Sequence, residues 1–272
     1  MSNYLSGAEA PFGAQIFARI QEAVLATARA QLAGRRLLEV EGPYGLGQRT
    51  LAGPDRDLGE ETRAGEAVAR LKAAPVLPLP MIESTFELGV REIAAFQQGQ
   101  SPFQLAPAVQ AAAAAARAED GLIFRGSEAA GLKGLANHPG TQSLQLGDWD
   151  SLGEPVEDII KAVALLEGKG LLGPYALALA PSRFDVLFRR YQEAALLQIQ
   201  HVREIITGGL VKAAALEQGG LLVAVGSYYA SIVLGQDMKL GFVGPRDTAY
   251  EFVIFESLAA RVQLPEAVVV LR

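Results

Sequence analysis

Three glycines in the stretch EGKGLLGPY, Gly168, Gly170 and Gly173, have the spacing G-x-G-x-x-G. In a dinucleotide-binding unit such glycines follow a strand and open a helix, whose N-terminus faces the pyrophosphate. Here the order is reversed. An amphipathic segment runs into Gly168, and an apolar strand-like segment, Pro174 to Ala180, leaves Gly173. A phosphate would meet the negative end of a helix. The spacing predicts a helix stop, with Gly168 or Gly170 in the left-handed conformation, followed by a turn.

The other chemistry-bearing residues are sparse. The two histidines, His138 and His201, each lack a second histidine or a carboxylate at ligand spacing. Ser127, in RGSEA, has no identifiable base, and no G-x-S-x-G is present. With no cysteine, the chain has no disulfide, thiolate metal site or cysteine nucleophile. The acidic run GDWDSLGEPVED (147 to 158) lacks calcium-loop spacing and reads as helix capping, with Trp149 as an anchor where the chain enters the helix. For 272 residues, 50% of them hydrophobic, this lack of a catalytic constellation points to a structural or assembly protein rather than an enzyme.

The elements that position these residues follow from periodicity. Phe17, Ile20, Val24, Ala28 and Leu32 recur at spacings of three and four and predict a helix from Pro11 to Leu32. RRLLEVEGPYG (35 to 45) reads as a strand closing in a Gly-Pro turn. Residues 46 to 74 are polar and long for a loop, as expected of an arm whose partners lie outside its own domain. ESTFEL (83 to 88) predicts a strand followed by a polar connection. APAVQAAAAAARAED (106 to 120) predicts a helix that neighbouring backbones approach closely. A helix over 150 to 170 is capped by Asp150 or Ser151, and Val156, Ile159, Ile160, Val163 and Leu166 form its apolar face. Residues 174–180, 250–257 and 266–272 read as strands, 181–192 as a helix, and 219–235 as two core strands rather than a membrane span. This mixed order predicts an α+β fold. The net charge of −6 and the absence of a basic run exclude a sequence-independent grip on nucleic acid. No leader-like segment opens the chain, so a cytoplasmic protein is expected.

Several stretches occur in an order that resembles the encapsulin shell proteins. They are LAGRRLLEVEGPYG (32 to 45), LPLPMIESTFEL (77 to 88), EDGLIFRGSEAAGLKGL (119 to 135), GPYALALAPSRF (173 to 184), VLGQDMKLGF (233 to 242) and LPEAVVVL (264 to 271). The resemblance implies the Hong Kong 97-type fold of tailed-phage major capsid proteins. Its parts would be an N-terminal helix and first peripheral strand (1–45), an extended loop (46–80), a peripheral domain with a spine helix (81–135), an axial domain (136–228) and returning peripheral strands (229–272). It also implies self-assembly into an icosahedral shell of sixty copies or an allowed multiple, in the cytoplasm. Such a shell encloses a cargo such as a dye-decolourising peroxidase or a ferritin-like protein, held by a C-terminal targeting peptide on the inner face. By alignment, the peptide groove would include Val24, Ala28, Leu32, Arg35, Glu39, Ile232 and Val233. The five-fold pore loop would include Gln192, Glu193, Ala194, Ala195, Leu196 and Leu197. Some relatives carry a flavin against an aromatic residue shortly after the TF strand; Arg91 stands there in this chain, so no cofactor is expected. Two other readings stand beside this one. A phage or prophage capsid protein that packages DNA is disfavoured by the net charge, the absence of a basic interior segment and the N-terminal helix. A hydrolase or bacteriocin is disfavoured by the lack of a nucleophile and base.

Overall fold

The computed structural model describes residues 10–191 and 196–272. The chain opens with α1 (Ala14–Gln31), whose Ile16, Ile20, Val24 and Ala28 are buried at helical spacing. The predicted strand from residue 35 starts instead as a helical turn, α2 (Gly34–Leu37), and only then extends as β1 (Glu39–Glu41). Asp120, 87 residues away from Ala33, decides this. Its carboxylate accepts the Ala33 and Gly34 N–H groups at 2.9 Å each, satisfying donors that a helix start leaves orphaned. Gly34 allows a close crossing, since a Cβ there would lie 2.6 Å from Cδ1 of the buried Ile123, whose side chain would have to shift.

The arm follows. β2 (Thr50–Ala52) pairs antiparallel with β5 (Val76–Pro78), and beyond them β3 (Arg56–Ala64) pairs antiparallel with β4 (Ala67–Ala73). Every residue of β3 and β4 is exposed. Next come β6 (Met81–Gly89) and α3 (Val90–Gln97), a helix where the sequence suggested only a polar connection. Its one buried residue, Ile93, makes too short an apolar signal to register as a stripe. The spine helix α4 (Ala106–Arg125) has 20 residues and spans about 30 Å. Ala108, Ala112, Ala115 and Ala116 are at most 1% exposed, so α1 and the sheet press directly on its backbone.

After the short pair β7 (Gly126–Ser127) and β8 (Leu132–Lys133), the chain forms β9 (Gln142–Leu144), α5 (Glu154–Glu167), β10 (Tyr175–Leu179), α6 (Pro181–Val186), α7 (Gln198–Ile205), β11 (Gly209–Lys212) and β12 (Gly220–Ala224). It closes with the long hairpin β13 (Ala230–Arg246) and β14 (Ala249–Val262), then β15 (Val268–Leu271).

Two sheets organise these elements. One is four-stranded, in the order β1-β13-β14-β6, with β1 parallel to β13 and the other pairs antiparallel. The other is five-stranded, in the order β11-β10-β12-β15-β9. Thus β15 does not return to the peripheral sheet with β13 and β14, as the 229–272 division implied. It enters the second sheet between β12 and the edge strand β9. Burial explains this: all four of its residues are buried, Val268 and Val270 in one core and Val269 and Leu271 in another. An unbroken apolar run belongs in a strand covered on both faces. β10 alternates in the same way, with Ala176 and Ala178 facing one core and Leu177 and Leu179 the other. The third core lies between α1, α4 and the β6–β14–β13 ribbon, where Phe86 and Phe252 stack at 5.1 Å.

Candidate assembly and docking surfaces

The glycine motif is a helix stop. α5 runs into Gly168, and the Leu171 N–H closes on the Leu166 carbonyl at 3.1 Å around Gly170, whose φ is 79°. That is a left-handed C-terminal cap, with a strand leaving it. The start of α5 differs from the capping expected at Asp150 or Ser151. Gly153 occupies the cap position and no side chain bonds the first turn. The acidic side chain that matters is Asp158, inside the helix and 1% exposed, which accepts from Trp149 Nε1 at 2.9 Å and from the Gly147 N–H at 2.8 Å. Trp149 is the expected anchor, 1% exposed. Burial pushes Asp158 up, but the bonds from Gly147, Lys161 and Trp149 outweigh it and hold its carboxyl below the ordinary range. His138 Nδ1 lies 2.9 Å from its neighbour's carbonyl, and His201 Nδ1 lies 3.3 Å from the Tyr191 hydroxyl. Among the described residues no group of carboxylates and histidines could hold a metal ion, and no helix is long and apolar enough to cross a membrane.

Most of the residues expected in a peptide groove are core. Val24, Ala28 and Leu32 are 0–4% exposed, packed into the α1–α4 core. Ile232 and Val233 are fully buried in a different core. The burial has a simple cause: alanines on α4 leave room for the α1 stripe, which packs against its own chain. The half-buried apolar side chains beside it are Phe17 and Leu25. Glu39 is exposed on the edge strand β1. Arg91 lies exposed on α3. Of the pore-loop residues, 192–195 lie outside the described residues. Leu196 is 40% exposed, and Leu197 bridges Arg190 across the base of the loop.

Arg35 is committed to its own chain. Nε and Nη2 donate to the two oxygens of Glu119 at 2.7 and 2.8 Å, Nη2 donates to Glu256 at 2.9 Å, and Nη1 donates to Asp237 at 2.6 Å. Glu119 and Glu256 are fully buried, whereas half of the Asp237 side chain is exposed. Burial works against the charge on Arg35, but the bonds and charge of Glu119 and then Asp237 prevail and hold it above its usual value. Burial, then the Glu119 carboxylate, pushes Glu256 up to about 9, so it keeps a proton at neutral pH. Burial raises Asp120 as well, against the bonds from Gly34 and Ala33. The sequence reading missed Glu119, Asp120 and Glu256. The signal was there: Ala112, Ala115, Glu119 and Ile123 follow helical spacing, which places a carboxylate on the buried stripe of an alanine helix.

A profile of the family described as "encapsulating protein for peroxidase" matches residues 2–259. The type 1 encapsulin shell protein EncA of Myxococcus xanthus is 31% identical over 276 residues, 98% of this chain and 96% of the relative. Among solved structures, a virus-like particle from Pyrococcus furiosus superposes with a TM-score of 0.70 at 20% identity, over 95% of this chain and 100% of that one. The capsid of Myoviridae phage XM1 gives 0.59 at 12% identity, over 86% and 88%. At such identities the likeness is one of fold, shared by shell and phage capsid alike. Sequence similarity separates the two, and by it the chain belongs to the encapsulin shell protein family.

Proposed function

We propose that this chain assembles with copies of itself into a closed icosahedral shell that encloses a protein cargo. The observation that carries the reading is the arm. β3 and β4 hold sixteen residues with no buried side chain, and Leu58 and Leu71 are each 50% exposed. Such a hairpin is stable where a neighbouring copy covers it. Closed icosahedral symmetry then requires sixty copies or an allowed multiple, with heterologous contacts around the five-fold and three-fold axes and isologous ones at the two-folds. The family's description as encapsulating a peroxidase favours an enzyme cargo, a dye-decolourising peroxidase or a ferritin-like protein, held by a C-terminal peptide. Because the α1 stripe is buried, the peptide would lie on the flank of α1 at Phe17 and Leu25. The loop at 192–197 would line the five-fold pore. Protein cargo is favoured over DNA by the net charge of −6.

Negative-stain electron microscopy of the chain expressed alone tests the reading. Uniform hollow shells without nucleic acid absorbance are expected. A monomer or small oligomer overturns the shell, and particles filled with DNA overturn the cargo assignment.

A further inference from the structure

The cluster around Arg35 sits where α1, α2, the spine helix and the β13–β14 hairpin meet. Its geometry alone makes it sensitive to protons. Three carboxylates, Glu119 from α4, Glu256 from β14 and Asp237 from β13, converge on the one guanidinium at 2.6–2.9 Å. Two of the three are fully buried. One arginine neutralises one of them, so a second buried carboxylate is stable only while it holds a proton. On the other side, Asp120, next to Glu119, holds the Ala33 and Gly34 N–H groups, with the exposed Arg36 nearby.

We propose that the buried Glu119–Glu256 pair beneath Arg35 is a pH-dependent latch that fastens the elbow between the N-terminal helix and the first strand to the spine helix and sheet. The elbow is Leu32 to Glu41. Opening it exposes Glu256 to water, where a carboxyl ionises near pH 4.5 rather than near 9. The closed form therefore binds one proton more than the open form between those values. The latch is tightest at the acidic end and loosens as pH rises toward 9, by up to about tenfold in the opening equilibrium per pH unit. Mild acidification thus tightens α1 against the body of the subunit, and with it any surface that α1 presents.

Amide hydrogen exchange of the full-length protein, in the assembly it forms, tests this between pH 6 and 8. After correction for the intrinsic chemistry of exchange, protection of residues 33–41 should rise about tenfold per unit on going from pH 8 to 6, while the centre of the five-stranded sheet stays unchanged. Glu256→Gln should abolish that dependence and leave the elbow protected at every pH. Infrared spectroscopy should show a protonated carboxyl at neutral pH in the wild type that the variant lacks. An elbow with a flat wild-type profile, or a variant that keeps the wild-type slope, overturns the proposal. If the variant fails to fold, the wild-type slope and the infrared band still decide it. None of these readouts depends on whether the assembly is a shell.

Discussion

Removing the outer arm should separate folding from assembly. Gly53 and Pro75 already face each other, with the Gly53 N–H on the Pro75 carbonyl at 2.8 Å, so residues 54–74 can be replaced by an Asn-Gly turn without disturbing the β2–β5 pair. Within its own subunit the excised hairpin contributes little. Its ion pairs, Arg70–Glu61 at 2.9 Å and Arg63–Glu61 at 3.3 Å, are exposed and worth under about 1 kcal/mol each. Leu58, Val68 and Leu71 are 50%, 43% and 50% exposed. If a neighbouring copy covers that exposed half, the three side chains together supply about 2–4 kcal/mol per arm. Losing that raises the concentration needed for assembly roughly 30- to 1000-fold. Circular dichroism should show an unchanged secondary structure, apart from the lost strands. Sizing by light scattering and electron microscopy should show small oligomers where the parent forms particles. Armless chains that assemble into the parent's particles at the parent's concentration would refute the reasoning.

Three interior substitutions and one surface control test the packing. Ala112→Leu, at a fully buried site on α4, should cost about 1–3 kcal/mol by overpacking the α1 contact, whereas Ala118→Leu on the exposed side should be near neutral; thermal unfolding distinguishes them. Trp149→Phe removes a donor to the Asp158 carboxylate and should cost about 1.5–3 kcal/mol, read by denaturant unfolding. Asp158→Asn addresses pH. Since the folded carboxyl is held below its ordinary value, its stabilisation is present above the unfolded pKa and is lost as pH falls through the lower folded value. A melting curve followed from pH 6 to 3 should therefore fall less steeply in the variant than in the parent.

Much of the fold is legible from local rules. The glycine spacing at 168–173 reads as a helix stop because its neighbours set a helix before it and a strand after it. The alanine run reads as a close-packed helix, and it is one, with α1 against it. The polar stretch from residue 46 reads as an arm because it has too few apolar residues to make a core, and its outer strands, β3 and β4, are exposed throughout. The ordered motifs of the shell family are visible in the same way, and they carry the identity.

What tertiary structure decided was partnership. Periodicity shows that Val24, Ala28 and Leu32 share a face, but not whether that face meets a peptide or the alanines of α4. An apolar run at Val268–Leu271 signals a doubly covered strand without saying which sheet receives it. Arg35 and Glu39 look like neighbours on one strand; Asp120 instead turns residues 34–37 into a helix and directs Arg35 toward Glu119, Glu256 and Asp237. The pattern along the chain encodes which side chains must leave water. Only the folded chain brings together groups more than 80 residues apart, and their charges, confined where water cannot screen them, decide which of them stays protonated.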